Sequence, residues 1–267
     1  MNFDYNEEQQ LLADSVRRFL AKDYDFEKRR KIVASNEGWS AEVWATLAEM
    51  GVTGLPLPAQ FGGFGGGAVD LMGVMEAFGE ALVVEPCLAT LLAARLIARS
   101  GSETQKKAVL PQVVEGKLRL AFAHSERGAR YNLAQVKVGA KPTGGGWELN
   151  GEKMVVLGAP LAGKIVVSAR TAKGISLFLV DRGALVVRPY RTLDEMRAGD
   201  VVLASVKVGA DALLGREGEA LALIEEATDF ATALICAEAV GAMKFACDTT
   251  LEYLKTRKQF GVPIGTF

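Results

Sequence analysis

The residue types that could do chemistry meet at one point of the sequence, where His124, Ser125 and Glu126 stand side by side. An imidazole, a hydroxyl and a carboxylate are the components of a nucleophilic triad. Successive residues of a strand point to opposite faces, however, so His124 and Ser125 cannot easily form a pair of nucleophile and base. His124 is also the only histidine of the chain, which excludes a multi-histidine metal site. The sequence therefore argues against a local triad and predicts no metal.

A second candidate is Arg257, which lies between Lys255 and Lys258 after the last long apolar run. A guanidinium can bind phosphate oxygens through paired hydrogen bonds. Cations in the last turn of a helix also complement the negative helix end, and that role needs no ligand. From the residues alone, both interpretations stay open.

Two further patterns point to structure more than to chemistry. The run GGFGGG, residues 62 to 67, follows no predicted strand and is followed by no GK[ST], so we interpret it as a flexible surface loop. The three cysteines, Cys87, Cys236 and Cys247, form no CxxC pair and have no metal-ligand spacing. We interpret them as core residues.

The element that carries Arg257 is a long helix predicted from Glu219 to Thr256 and ended by Gly261 and Pro263. Its apolar residues recur at steps of three and four, which is a helical pattern: Cys236, Val240, Met243, Cys247, Leu251 and Leu254. At about 1.5 Å per residue the helix is roughly 55 Å long, too long to be covered within a small domain. Either it packs on another copy of the protein, or the part that covers it is absent from this chain.

The apolar period changes twice along the chain and divides it into three parts. Residues 1–118 are predicted to be helical, with helices starting at Asn6 and Ser102, others over Ser40 to Met50, Val69 to Leu82 and Leu88 to Arg99, and an interruption at Pro111. Residues 119–213 hold short runs of Val, Ile and Leu separated by turn signals such as Asn150-Gly151, which favours an antiparallel sheet or barrel. Residues 214–267 return to helix. The predicted fold is α+β and multidomain: an N-terminal helical domain, a central antiparallel β domain and the start of a C-terminal helical bundle.

Composition narrows the class of protein. The 267 residues include 31 basic and 32 acidic side chains, so no net field attracts nucleic acid. We judge no apolar stretch long enough and free enough of charge to cross a bilayer, and the polar, acidic start is unlike a signal peptide. A cytoplasmic location without a membrane span is the default expectation.

Two segments together resemble the acyl-CoA dehydrogenase family of flavoproteins. The first is AFAHSERGA, residues 121 to 129, followed by LNGEK, residues 149 to 153. The second, YxxxRKQFGxPI over residues 253 to 264, is the more specific. The family's three-part layout also matches the predicted order of helices, strands and long helix, so the resemblance covers the whole chain.

The resemblance implies FAD as cofactor. It places the Ser125 hydroxyl on the flavin ring and the Arg257 guanidinium on the FAD of a neighbouring subunit. Val155 stands where the family packs an aromatic ring on the flavin, and Leu157 stands where a threonine hydroxyl meets flavin N5. The full set of expected cofactor-binding residues is Phe122, His124, Ser125, Val155, Val156, Leu157, Arg257, Gln259 and Phe260.

The resemblance also implies an acyl-CoA substrate, which is oxidised to a 2-enoyl-CoA, and an electron-transfer flavoprotein that reoxidises the FAD. Tyr131 and Asp229 match positions near the substrate, although Arg130 and Tyr131 replace a Gly-Ser pair and Thr232 replaces an arginine. The family's base is a glutamate in a later helix or on the long helix. No residue here is assigned that role: three glutamates of the long helix are candidates and could equally be surface carboxylates, namely Glu225, Glu226 and Glu238.

Two hypotheses follow for this chain. In one it is an acyl-CoA dehydrogenase, or the larger part of one, forming homo-oligomers through its C-terminal helices. In the other it is the degenerate subunit of a hetero-oligomer, which completes a neighbour's FAD site while its own is weakened at Val155 and Leu157. A third option is a purely structural fragment.

Overall fold

Six helices occupy the N-terminal part of the computed structural model, which describes residues 4–267. They are α1 (Glu7–Asp23), α2 (Phe26–Ala34), α3 (Ala41–Glu49), α4 (Ala68–Ala81), α5 (Cys87–Ser100) and α6 (Glu103–Val114). Capping boxes at Asn6 and Ser102 begin α1 and α6, and the Ser40 hydroxyl caps α3, as the sequence predicts.

Two details of this helical part differ from the prediction. Helix α2 was not predicted because its FEKRRKIVA sequence is too charged to show an apolar period; it is held by the buried residues Arg29, Ile32 and Val33. Helix α6 continues through Pro111 instead of stopping there. The carbonyl of Lys107, which loses its bond to the missing N–H, belongs to an exposed residue, while Val113 beyond the proline is fully buried. Burial of the apolar face therefore outweighs the proline.

The central part is an eight-stranded sheet in the order β6-β7-β3-β2-β4-β5-β8, with β1 beside β4. Its strands are β1 (Leu120–Ala123), β2 (Gly139–Thr143), β3 (Gly146–Leu157), β4 (Lys164–Thr171), β5 (Gly174–Asp181), β6 (Val186–Arg191), β7 (Arg197–Gly209) and β8 (Leu213–Leu214). Most pairings are antiparallel, but β1 runs parallel to β4 and β2 meets β4 at one parallel bridge, so the sheet is mixed. The predicted turn at Asn150-Gly151 is wrong: β3 runs on through these residues and absorbs them as an irregularity against β7.

Helix α7 (Leu221–Thr256) follows the sheet and packs on α4 and α5. It ends at Thr256, where Arg257 takes an extended backbone, so Arg257 lies just outside the last helical turn. A short hairpin of β9 (Lys258–Gln259) and β10 (Val262–Pro263) comes next, turning at Phe260 and Gly261, which both have positive φ. Gly261 therefore shapes this hairpin and does not end the helix.

One side of α7 is buried only as far as Gly241, and beyond that residue nearly every side chain is exposed. Cys236 and Cys247 lie on this exposed surface, so the prediction that they are core residues is wrong for both, whereas Cys87 is buried.

By length and composition α7 also meets the criterion for a membrane-crossing helix, with mean hydropathy 1.5 over an 18-residue window of which 28% is buried. Our expectation that no stretch qualifies is therefore wrong on composition, although the core helices of soluble proteins meet the same criterion.

Helices α4 and α7 touch through their backbones. A Cβ atom on Gly79 would lie 1.8 Å from the carbonyl oxygen of Glu238, and one on Gly241 would lie 1.9 Å from that of Glu76. Only glycine allows so close an approach at both places. The two glycines thus fix Glu238 against α4, beside the site described next.

Candidate functional site

The end of β1 and the second half of β3 form one ledge within the sheet. The N–H of Met154 donates to the carbonyl oxygen of Ser125 at 2.8 Å and joins the two segments. Next to it, Val155 has a φ of 52° within an irregular stretch of β3, and its N–H donates to Asp200 Oδ1 at 3.1 Å. Strained backbone of this kind is often found where a side chain must be aimed at a ligand.

A buried polar network lies beneath this ledge. Lys153 is fully buried, and its Nζ donates to Glu126 Oε1 at 2.7 Å, to Ser168 Oγ at 2.9 Å and to the carbonyl oxygen of His124 at 3.1 Å. The Glu126 carboxylate also accepts the N–H groups of Lys137 and Val138. The network therefore ties the loop after β1 to β3 and holds Ser125 in place.

Burial shifts the pKa values of the titratable groups in this network. Burial lowers the pKa of Lys153 to about 8, against the opposing effect of Glu126. The same burial acts to raise the pKa of Glu126, but the hydrogen bond and charge of Lys153 outweigh it, so that pKa is lowered and the carboxylate stays ionised. Burial and the Lys153 charge lower the pKa of His124 to about 4, so the imidazole is neutral at pH 7.

His124 faces this network and not Ser125. Its Nδ1 lies 2.9 Å from Ser168 Oγ, and its ring stacks on Phe122 with centroids 5.4 Å apart. Ser168 is fully buried, so no substrate reaches it. The structure thus agrees with the sequence argument against a nucleophile and base pair at residues 124 and 125.

The ledge is compatible with a flavin. The exposed Ser125 hydroxyl has no hydrogen-bond partner anywhere in residues 4–267, and the Val155 side chain is 52% exposed. Leu157 lies between the ledge and a neighbouring cavity. A free hydroxyl beside exposed apolar side chains suits a flat, mostly apolar ring with polar edges. Val156 is buried in the β core and can offer a cofactor only its backbone.

The cavity next to Leu157 has a volume of about 330 Å³. Its walls come from α4, the segment 82–86, the start of α5, the end of β3, the connection before β7 and α7. Most lining residues are apolar; the charged ones are Glu85, Asp194, Arg197 and Glu238. An apolar cavity with a few polar groups is the usual form of a small-molecule site.

Glu238 is the glutamate of α7 that faces this cavity. Burial, and then the charge of Asp194, raise its pKa above the ordinary value. By contrast, Glu225 is exposed, and Glu226 pairs with Arg95 at 2.8 Å and with Arg99 at 3.3 Å. The structure therefore distinguishes three carboxylates that the sequence left equivalent.

The remaining expected site residues lie elsewhere. Arg257 lies about 24 Å along the helix axis beyond Gly241, and its side chain is exposed with no ion pair to any described residue. Gln259 and Phe260 share the exposed hairpin beside it. Tyr131, which is 99% exposed, and the exposed Asp229 form no side-chain hydrogen bond or ion pair with any residue in 4–267. The chain thus assembles the ledge and the cavity, whereas Arg257 and its hairpin lie exposed after the C-terminal end of α7.

Two functional features escaped the sequence argument. Glu85 is 2% exposed and lines the cavity, yet in sequence it stands in an unremarked stretch between helices. The Lys153 network was missed because its four side chains come from three separate segments. The available signals were a glutamate next to a proline at a helix start, and the presence of Glu126 and Lys153 in the two motif segments at 121–129 and 149–153.

Comparison with known proteins gives a consistent result. Residues 6–117 match the family model described as acyl-CoA dehydrogenase, N-terminal domain, and residues 121–206 match the model for the middle domain. The acyl-CoA dehydrogenase FadE12 of Mycobacterium tuberculosis is 32% identical over an alignment that covers 99% of this chain and 71% of that protein.

Solved structures agree with these matches. The FAD complex of PigA superposes with a TM-score of 0.90 at 29% identity, covering 100% of this chain and 73% of that one. The ChsE4-ChsE5 complex from Mycobacterium tuberculosis also gives 0.90 at 29% identity, covering 100% of this chain and 72% of the matched chain. The match therefore extends over all three parts of the fold.

Proposed function

Since the chain belongs to the acyl-CoA dehydrogenase family, we propose that it provides the flavin ledge and the acyl cavity of an enzyme that oxidises an acyl-CoA thioester to its 2-enoyl-CoA. The observation that carries the proposal is that Leu157, on the ledge, and Glu238, on α7, line the same apolar cavity. A bound acyl chain would therefore lie between the cofactor surface and a carboxylate.

FAD is the cofactor of this site, in keeping with the FAD-bound relatives. The chemistry it supplies in this reaction class is acceptance of a hydride from the acyl β carbon. On this chain the Ser125 hydroxyl and the backbone around Val155 and Leu157 would hold the ring. Leu157 offers methyl groups where the family has a hydroxyl, so this contact contributes no hydrogen bond.

Glu238 is our candidate for the base that removes the α proton. It lies on the cavity wall, and its burial raises its pKa towards the working pH, which favours proton transfer. As the α proton passes to the carboxylate, a hydride leaves the β carbon and the Cα–Cβ double bond forms.

A second function is that of a partner subunit in a mixed assembly. Arg257 is exposed and forms no ion pair with any residue in 4–267, which supports a role for it on a neighbouring molecule. The ChsE4-ChsE5 relative is a complex of two different chains. In this alternative the chain completes a partner's FAD site, and an electron-transfer flavoprotein would reoxidise the assembly in either case.

The test is the flavin-to-protein ratio of the purified chain, measured with and without any co-encoded homologue, followed by turnover of acyl-CoA thioesters. An active enzyme binds one FAD per chain alone, and Glu238→Gln lowers turnover at least a hundredfold without loss of flavin. Glu225→Gln, an exposed glutamate of the same helix, is the matched control and leaves turnover unchanged.

The two functions give different results. Flavin that appears only with the co-encoded homologue supports the partner-subunit function. Protein that binds no flavin in either preparation after reconstitution with FAD would refute both. Unchanged turnover of Glu238→Gln in a flavin-loaded enzyme would remove Glu238 as the base.

A further inference from the structure

Leu82 follows the last residue of α4 and has a backbone conformation that is unusual for its residue type. Its φ is 53°, in the left-handed region, where a Cβ atom crowds the backbone and where glycine is the common residue after a helix. Its N–H donates to the carbonyl oxygen of Gly79 at 3.3 Å, and its own carbonyl oxygen accepts from Nε of the buried Arg29 at 2.6 Å. The protein thus keeps a leucine where glycine would fit without strain, which points to a role for the side chain.

Leu82 lies between two apolar cavities. One is the 330 Å³ acyl cavity with Leu157 and Glu238 in its wall, and the other has a volume of about 580 Å³ and lies between α1, the start of α2, α4 and α7. The α4 residues in the two walls come from opposite faces of that helix: Met75, Phe78 and Gly79 for the first, Ala77, Glu80 and Ala81 for the second.

Of the residues in 4–267, Leu82 alone lines both of these cavities. Because its N–H and its carbonyl oxygen are engaged in hydrogen bonds, the half-exposed side chain is the group that is left to face them. Beyond Ala81 the helix itself no longer separates the two spaces. The leucine side chain therefore completes the partition between them.

The second cavity suits a hydrocarbon chain. Its charged side chains already have partners: Arg17 pairs with Glu80 at 3.3 Å. Asp25 accepts the N–H of Lys28 at 2.7 Å. The rest of the wall is mainly apolar and includes Leu20, Tyr24, Phe26, Ala77 and Phe245. Methylene groups that entered this space would bury apolar surface without desolvating an unpaired charge.

We propose that Leu82 is the end wall of the acyl cavity and sets the length of the acyl group that the protein accepts. The inference rests on the proposed function of that cavity as an acyl site. At about 30 Å³ per water-sized group, the 330 Å³ cavity holds roughly ten non-hydrogen atoms. The substrate class is thus a short to medium acyl-CoA of up to about ten acyl carbons, since a longer group has to pass Leu82.

The test measures how affinity depends on acyl length, by isothermal titration calorimetry of saturated CoA thioesters with the FAD-loaded protein and any partner chain present. The thioesters run from about four to about sixteen carbons, well beyond what the cavity holds, and are kept below the concentrations at which they form micelles. In the wild type, each added methylene tightens binding by about fourfold until the cavity is full, near ten carbons. Longer acyl groups gain no further affinity.

Three variants assign this limit to the Leu82 side chain. Leu82→Gly removes the wall and is compatible with the fold, because glycine adopts a positive φ without strain. Affinity then keeps rising past ten carbons, and an acyl group of about fourteen carbons binds at least about tenfold more tightly than it does to the wild type. Leu82→Asn is the matched control, since asparagine has as many non-hydrogen side-chain atoms as leucine and also tolerates the left-handed conformation; it keeps the wild-type limit. If Leu82→Gly does not fold, Leu82→Ala, which retains only the Cβ atom, replaces it with the same expectation.

The outcomes separate this inference from the proposed function. The same length limit in the wild type and in Leu82→Gly overturns the end wall while the acyl-CoA function stands. A limit that shifts as far in Leu82→Asn also overturns it, because the backbone and not the lost side chain would then be the cause. So does a wild-type affinity that rises steadily up to the longest thioester. Failure of every thioester to bind refutes the proposed function, and the end wall with it.

Discussion

At the scale of single residues, Val155 holds the least expected conformation of the site. Its φ of 52° is left-handed, which costs a residue with a Cβ atom about 1–2 kcal/mol and is rarer still for a β-branched one. The side chain is half exposed, so little burial offsets this cost. The hydrogen bond to Asp200 and the irregular pairing of β3 with β7 hold the conformation in place.

We expect Val155→Gly to raise the free energy of unfolding by about 0.5–1 kcal/mol, because glycine relieves the strain and its greater unfolded-state entropy cancels only part of the gain. Val186→Gly is the control: Val186 is 60% exposed in β6 and lacks a positive φ. That variant should lose about 0.5–1 kcal/mol. Urea unfolding measures both, and two losses of equal size would show that Val155 is not strained.

His124 gives the chain a defined response to acid. Its pKa is lowered to about 4 by burial and by the charge of Lys153, so the folded chain binds this proton less readily than the unfolded chain, with a pKa near 6.5. Stability is therefore present above pH 6.5 and is lost as the pH falls from 6.5 towards 4. Glu126 acts lower, since its depressed pKa removes stability only below its ordinary value of 4.5.

We expect wild-type protein to lose on the order of 2 kcal/mol more stability than His124→Asn between pH 6.5 and 4.5. No other histidine contributes. Glu85 and Glu238, whose pKa values are raised, change stability in the opposite direction in this window, but they do so equally in both proteins. Urea unfolding at each pH measures the difference, and parallel pH profiles would contradict a buried neutral imidazole.

At the scale of elements, the crossing of α4 and α7 sets the position of Glu238. The backbones meet at Gly79 and Gly241, where an added Cβ atom would come within 2 Å of a carbonyl oxygen. Neither partner can move aside without moving its helix. The width of the cavity between these helices thus depends on the absence of a Cβ atom at both positions.

We expect Gly241→Ala to lower the free energy of unfolding by about 1–2 kcal/mol, because the overpacking cost exceeds the gain in helix propensity. Gly183→Ala, where nothing lies within 4 Å of the new methyl group, is the control and should change stability by less than about 0.5 kcal/mol. Urea unfolding compares the two. A stabilised Gly241→Ala would mean that the helices separate freely.

The sequence predicted what local pattern determines and missed what distant contacts decide. Capping residues such as Asn6 and Ser40 predicted where helices begin, and the apolar period predicted the extent of α7. Most predicted helix ends lie within a few residues of the observed ones. The parallel pairing of β1 with β4 could not be predicted from the sequence, because the two strands are about 40 residues apart in the chain and no local signal sets their relative direction.

The candidate site shows the same distinction between residues predicted by a local motif and residues brought together by distant contacts. Residues 122–125 and 155–157 were predicted together as cofactor contacts because a family motif runs along each segment. Glu85 and Glu238 gain their meaning only where α4, α5 and α7 enclose the cavity.

At the scale of the whole molecule, the C-terminal half of α7 is an apolar surface without a cover. Its exposed apolar residues that recur at steps of three and four along one side, which we call the α7 stripe, are Val240, Met243, Cys247 and Leu251. Isolated exposed apolar residues are ordinary, but a stripe on one helix usually marks an interface. The charged residues Lys244, Asp248 and Glu252 recur at steps of four in the row next to the stripe.

We expect the isolated chain to self-associate through the α7 stripe, and the variant Met243→Lys/Leu251→Lys to reduce its mass in solution to the 28.5 kDa of one chain. Both substitutions place charge in the apolar contact, where burial disfavours it. The matched control, Asp248→Asn/Glu252→Gln, makes the same change in net charge in the charged row next to the stripe and should leave the mass unchanged. Multi-angle light scattering at several concentrations measures all three proteins. A wild-type chain that stays monomeric, or a control that dissociates as fully as the stripe variant, would show that net charge and not this surface governs assembly.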